Sequence, residues 1–112
     1  MLVISIFTNT AIASPVLDTI SVKDLNEQAQ TTLQQIQAGG PFQYDRDGIV
    51  FYNIEKQLPN QPKGYYQEYT VPTPNVNNHG ARRIVSGEVA EKTEYYYTEN
   101  HYRTFWQILL NE

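Results

Sequence analysis

Two histidines, His79 and His101, are the whole imidazole inventory of this 112-residue chain, and it has no cysteine. Thiolate chemistry and disulfides are thereby excluded. Neither CxxC nor HExxH occurs, no His and carboxylate stand at metal-ligand spacing, and no Gly-rich phosphate loop or serine-nucleophile motif is present. His101 sits in the polar turn TENHYRTF, the kind of segment in which a scaffold presents functional groups. Glu68 is a lone carboxylate in the aromatic and β-branched run GYYQEYTV, and Arg82 and Arg83 open the run ARRIVS. A carboxylate can remove a proton, an imidazolium can donate one, and guanidinium groups can neutralise a phosphorane, so this set suits metal-free phosphoryl transfer. The plainer alternative for Glu68 and Arg83 is a surface ion pair, worth roughly 0–1 kcal/mol.

Such groups need strands to hold them. Side chains alternate between the faces of a strand, so Tyr66, Glu68 and Thr70 share one face and Tyr65, Gln67, Tyr69 and Val71 the other. In residues 81–86 the same alternation groups Arg83 with Val85. Paired antiparallel, the two strands bring Glu68 and Arg83 onto one sheet face, where cross-strand neighbours stand about 5 Å apart. Further strands are expected over residues 94–98 and 105–110, with an outer strand over 16–22. A helix is expected over residues 26–38, where Leu25, Ala29, Leu33 and Ile36 fall on one side. Asp24 or Asn26 can cap its start, and Gly39-Gly40 can end it. One helix followed by strands separated by turn signals such as Asp47-Gly48 and Lys63-Gly64 gives an α+β domain, a helix packed on a twisted antiparallel sheet.

The formal charge is −4, which argues against general long-range attraction to nucleic acid. A local basic cleft is still open, because seven of the eight Lys and Arg follow Gly40. Arg82, Arg83, Lys56 and Arg103 are candidates for it. Residues 1–14 are uncharged, and Ala11-Ile12-Ala13 has the small-x-small form of a signal-peptidase site, so they read as a trimmed signal segment ahead of one domain over residues 15–112. A first β-strand is the alternative for that run. No membrane span is expected, because the apolar stretch is too short.

From Gly40 to Phe105 the strings GPFQYDRDGIVFYNIEKQLP, GYYQEYTVPTP, HGARRIVSGE and YYYTENHYRTF resemble the small secreted guanyl-specific ribonucleases, the barnase and binase family, and especially its acidic ribonuclease Sa branch. The resemblance implies the microbial ribonuclease fold and metal-independent, cofactor-free cleavage of RNA on the 3′ side of guanosine. The route implied passes through a 2′,3′-cyclic phosphate that is then hydrolysed. It assigns Glu68 as the general base, His101 as the general acid and Arg83 as the arginine at the scissile phosphate. Phe51, Tyr52, Asn53, Ile54 and Glu55 resemble the guanine-binding loop. The resemblance implies that Glu55 accepts from the guanine N1–H and exocyclic amine, and that Phe51 with Tyr102 flanks the base or the phosphate.

Two positions depart from that family's pattern. His79 stands where a second phosphate-contacting arginine is expected, which predicts weaker phosphate stabilisation at neutral pH and an optimum moved to lower pH, since histidine is charged only below about pH 6.5. Ile54 replaces an arginine just before the recognition carboxylate, which predicts looser guanine preference. The disulfide of ribonuclease Sa is also missing. The competing readings are a catalytically impaired guanine-nucleotide or RNA-binding module of the same fold, and a Tyr-rich interaction domain. By family analogy, a small inhibitor resembling barstar is an expected partner of a secreted, monomeric enzyme.

Overall fold

The computed structural model describes residues 15–89 and 92–111, so the expected signal segment lies outside the described residues. After β1 (Asp18–Ser21) and a 3-10 turn (Val22–Asp24) comes α1 (Glu27–Ala38), followed by β2 (Ile49–Phe51), β3 (Tyr66–Thr70), β4 (Arg83–Val89), β5 (Lys92–Thr98) and β6 (Trp106–Leu109). The strands form one sheet in the order β1-β6-β5-β4-β3-β2. From β2 to β6 every pairing is antiparallel, as the run of short strands and turns predicts. The outer strand differs: β1 joins β6 in parallel, Ile20 opposite Ile108. The intervening helix and four strands let the chain return in the same direction, which a tight hairpin could not do.

Both ends of α1 follow from its sequence. The Asn26 side chain accepts from the Ala29 amide at 2.8 Å, satisfying a donor that the first turn leaves orphaned. Its amide nitrogen donates to the Tyr97 hydroxyl at 2.8 Å, so the cap also ties the helix to β5. Gly39, at φ +77°, ends it in the left-handed conformation that glycine adopts without steric cost. Leu25, Ala29 and Leu33 on the apolar stripe pack with Val71, Ile84, Tyr95, Tyr97 and Ile108 to form the core on one sheet face.

The opposite face carries a second cluster: Leu58, Tyr66, Val85, Tyr96 and Phe105, flanked by Leu17, Phe51, Tyr65 and Tyr102. No helix covers it. The segments between β2 and β3 and between β5 and β6 do, and Leu58, fully buried, anchors the first of them. Glu68 and Arg83 lie on this face, as alternation requires, but the register sets them diagonally: Glu68 is opposite Val85, and Thr70 opposite Arg83. Arg82 is on the other side, where its charge acts on Tyr97 of the helix-facing core. The expectation that Arg82 joins Arg83 in one basic cleft is corrected by the period of two.

Candidate active site

The open part of the second face is a cleft of about 370 Å³, whose lining includes Phe51, Tyr52, Asn53, Ile54, Glu55, Glu68, His101 and Tyr102. These come from three separate parts of the chain: the segment leaving β2, the centre of β3 and the turn between β5 and β6.

The β2 segment is held open by its own asparagine. Asn53, at φ +53°, accepts from the Leu58 amide at 3.1 Å and donates to the Leu58 carbonyl at 2.9 Å, closing the loop upon itself. Asparagine tolerates the left-handed conformation better than most residues and supplies both donor and acceptor. The Tyr66 hydroxyl fixes the next residue by donating to the Pro59 carbonyl at 2.6 Å. The turn at Lys56, whose amide donates to the Asn53 carbonyl at 3.0 Å, leaves Ile54 and Glu55 exposed at the rim; Ile54 is 84% exposed. Among the described residues the Ile54 and Glu55 amides donate to no backbone acceptor. Beside them, Phe51 stacks on Tyr102 at 5.0 Å and 30°, giving the cleft an aromatic floor.

The turn that carries His101 is built on Thr98, which is fully buried. The Thr98 hydroxyl accepts from the Asn100 and Tyr102 amides, and the Asn100 carboxamide bonds the backbone and side chain of Thr104. His101 and Tyr102 are both held at positive φ, +55° and +71°. Two successive non-glycine residues there cost of order 1–3 kcal/mol each, and such strain collects at functional sites. The His101 amide is latched to the Ala81 carbonyl at 2.8 Å, which couples this turn to the start of β4.

Tyr102 is the hub of the site's electrostatics. Burial pushes its hydroxyl well above the usual tyrosine range, the Glu68 carboxylate raises it further, and Arg83 pulls the other way. The hydroxyl is therefore a neutral donor or acceptor between the two charges. The Arg83 guanidinium lies 6.0 Å from the Tyr102 ring centroid, and one of its terminal nitrogens donates to the Gly80 and Arg82 carbonyls at 2.9 and 2.8 Å. Those bonds hold the guanidinium beside Tyr102, at the edge of the cleft and outside its lining.

His79 does not line the cleft. It is exposed, with its ring edge-on to Tyr44 at 4.9 Å. The cation that does line the cleft beside Glu68 and His101 is Arg46, which the sequence alone did not single out. The Asp47 carboxylate places it by accepting from the Thr70 and Tyr44 amides at 2.8 and 3.0 Å, while the Gly48 amide donates to the Glu68 carbonyl at 2.8 Å. Among the described residues Arg46 has no ion-pair partner. The only available signal was the Asp-Gly turn after it, which read as punctuation. Among the described residues no group of three or more His, Cys, Asp or Glu is placed to hold a metal.

Comparison with known proteins identifies the family. A ribonuclease family model matches residues 9–109. The chain belongs to that family. Similar relatives include guanyl-specific ribonuclease Sa of Kitasatospora aureofaciens, 48% identical over 87 residues covering 78% of this chain and 88% of the relative. Guanyl-specific ribonuclease St of Saccharopolyspora erythraea is 45% identical over 92 residues, 82% of this chain and 88% of the relative. Among solved structures, ribonuclease Sa2 with guanosine-2′-cyclophosphate has a TM-score of 0.80 at 41% identity, over 87% of this chain and all of that one. Ribonuclease Sa2 with 3′-GMP has a TM-score of 0.78 at 42% identity, over 86% of this chain and all of that one. The ribonuclease family is thus shared in sequence and in fold.

Proposed function

We propose that this ribonuclease cleaves single-stranded RNA 3′ of guanosine, with Glu68 as base and His101 as acid across one cleft. The observation that carries this is the convergence of Glu68, His101 and the Phe51–Glu55 segment on a single cavity. Glu68 takes the proton of the guanosine 2′-OH as that oxygen attacks phosphorus, and His101 protonates the departing 5′-oxygen. In hydrolysis of the 2′,3′-cyclic phosphate the roles exchange, by microscopic reversibility. The free part of the Arg83 fork and the Arg46 guanidinium meet the phosphate oxygens as charge builds on them. His79, exposed beside Tyr44, contributes less than its sequence position implies.

Guanine lies in the segment from Phe51 to Glu55. The Glu55 carboxylate accepts from guanine N1–H and the exocyclic amine, a donor pair that adenine lacks, and the free backbone amides meet O6. Phe51 and Tyr102 supply stacking, worth about 1–3 kcal/mol per base and nearly blind to base identity. Selectivity therefore rests on Glu55 and the backbone. Ile54 adds apolar surface there and no charge.

The protein works outside the cell in this reading, supported by the uncharged, apolar residues 1–14 with Ala11-Ile12-Ala13. It acts as a monomer, and the producing cell protects itself with a small inhibitor resembling barstar.

The test is turnover of GpC, ApC and UpC over a pH series by the wild-type protein, Glu68→Gln and His101→Ala. A bell-shaped profile on GpC that either substitution nearly abolishes is the expected result. Absence of turnover at every pH means a nucleotide-binding module on a ribonuclease frame.

A further inference from the structure

Tyr52 and Phe51 are adjacent in sequence and behave oppositely. Phe51 is packed against Tyr66, Tyr102 and Phe105 within the second cluster. Tyr52, just beyond the end of β2, is 58% exposed on the cleft wall, and the Lys63 ammonium lies 5.5 Å from its ring centroid. A tight turn delivers that lysine: the Tyr65 amide donates to the Pro62 carbonyl at 3.1 Å, and Gly64 adopts φ +91°. Among the described residues no carboxylate lies within salt-bridge distance of Lys63, although Glu55 shares the rim with Tyr52. An exposed aromatic ring paired with an unneutralised ammonium is the combination that binds a nucleotide without regard to base, the ring stacking and the cation meeting phosphate.

We propose that Tyr52 and Lys63 form a second nucleotide subsite, which holds the residue on the 5′ side of the recognised guanosine. Lys63 takes the phosphate linking the two and Tyr52 stacks the upstream base. The inference rests on the ribonuclease reading above. Direction follows from the cleft. The scissile phosphate lies between Glu68 and His101, so the 3′ product leaves past the His101 turn, which belongs to the connection between β5 and β6. Tyr52 and Lys63 belong to the connection between β2 and β3, on the guanine side of that phosphate. The strand that passes them is therefore the one entering at the guanosine 5′-carbon. An acidic protein thereby holds a polyanion with a few placed charges, and the grip is local and salt-dependent.

The experiment compares kcat/KM for ApGpC, GpC and GpCpA at two salt concentrations in the wild-type protein, Tyr52→Ala, Tyr52→Phe and Lys63→Gln. The expected result is an advantage of ApGpC over GpC of roughly tenfold, the value of one modestly stacked base. Tyr52→Phe keeps the advantage and Tyr52→Ala brings the ratio to about one. Lys63→Gln leaves GpC cleavage at the wild-type rate while reducing the salt slope for ApGpC by up to about 0.7, the release expected from one single-strand phosphate contact. Equal rates on ApGpC and GpC overturn the subsite. So does an advantage that survives Tyr52→Ala, or one found for GpCpA instead. Failure of the wild-type protein to cut GpC overturns the ribonuclease reading itself, a different result from equal rates on the two substrates.

Discussion

Glu68 and Arg83 do not face each other across β3 and β4; both of their charges act on one hydroxyl, that of Tyr102. A direct ion pair would neutralise the base and occupy the phosphate ligand. The diagonal register keeps them apart, and a neutral hydroxyl bridges the gap. Tyr102→Phe keeps the ring that stacks on Phe51 and removes only this bridge. A hydrogen bond to a charged group contributes about 1.5–3 kcal/mol, so kcat/KM on GpC is expected to fall at least tenfold. The same bond exists in the free protein, so denaturation midpoints should fall as well. For comparison, Glu68→Gln and His101→Ala should each cost on the order of 100- to 10,000-fold, the usual worth of a general base or acid.

Arg46 and His79 can be separated by ligand chemistry. Arg46 lines the cleft beside Glu68 and His101, whereas His79 is exposed outside it against Tyr44. Arg46→Gln is expected to weaken 3′-GMP binding roughly tenfold at low salt and near pH 8, the worth of one charge-assisted phosphate contact, and to spare guanosine, which has no phosphate. His79→Ala should change little under the same conditions. If titration calorimetry gives the reverse order, with His79→Ala the damaging substitution, then the loop before Gly80 closes on phosphate after all.

Much of this was legible in sequence because it rests on local rules. The alternation in GYYQEYTV put Glu68 on the correct face, and Gly39-Gly40 marked the end of α1. Its start was legible only as Asp24 or Asn26, of which Asn26 is the cap. The parallel pairing of β1 was not legible. Whether an outer strand runs parallel or antiparallel depends on a connection of some eighty residues, and nothing in Asp18–Ser21 encodes it. Arg46 was missed for a related reason. Its position depends on the Asp47 carboxylate reaching the Thr70 amide, 23 residues away, and a charged residue beside a turn ordinarily faces solvent.

Asn53 links stability to specificity. Its carboxamide bonds both backbone groups of Leu58, and it tolerates the left-handed backbone there. Asn53→Ala removes both bonds and keeps the strained φ. The expected loss is about 1–3 kcal/mol in urea denaturation, the range for polar groups left without partners. Because the same clamp shapes the segment carrying Glu55, the GpC-to-ApC rate ratio should fall too. Asn53→Gly relieves the backbone but not the missing bonds, so it should recover part of the stability and little of the ratio. Recovery of both by glycine would show that φ, and not the clamp, shapes the loop.

Six tyrosines, Tyr65, Tyr66, Tyr95, Tyr96, Tyr97 and Tyr102, have hydroxyls raised above the usual range of about 10, in each case chiefly by burial. For a group raised on folding, the stabilising contribution is complete below the unfolded value and is lost as pH climbs through the folded one. Below about pH 9 both states hold these protons and stability should be flat in pH as far as tyrosine is concerned. Above about pH 10 the unfolded chain releases protons that the native state retains, so unfolding becomes easier by about 1.4 kcal/mol per pH unit for each tyrosine involved. Denaturant titrations between about pH 8 and pH 11 should therefore show a steep loss at the alkaline end, with a slope of more than one proton. Tyr96 is fully buried apart from a hydrogen bond from its hydroxyl to the Glu94 carboxylate at 2.9 Å, so Tyr96→Phe should remove close to one proton from that slope. A slope unchanged by Tyr96→Phe would mean that the hydroxyl ionises within the fold, and that the second cluster is wetter than its packing implies.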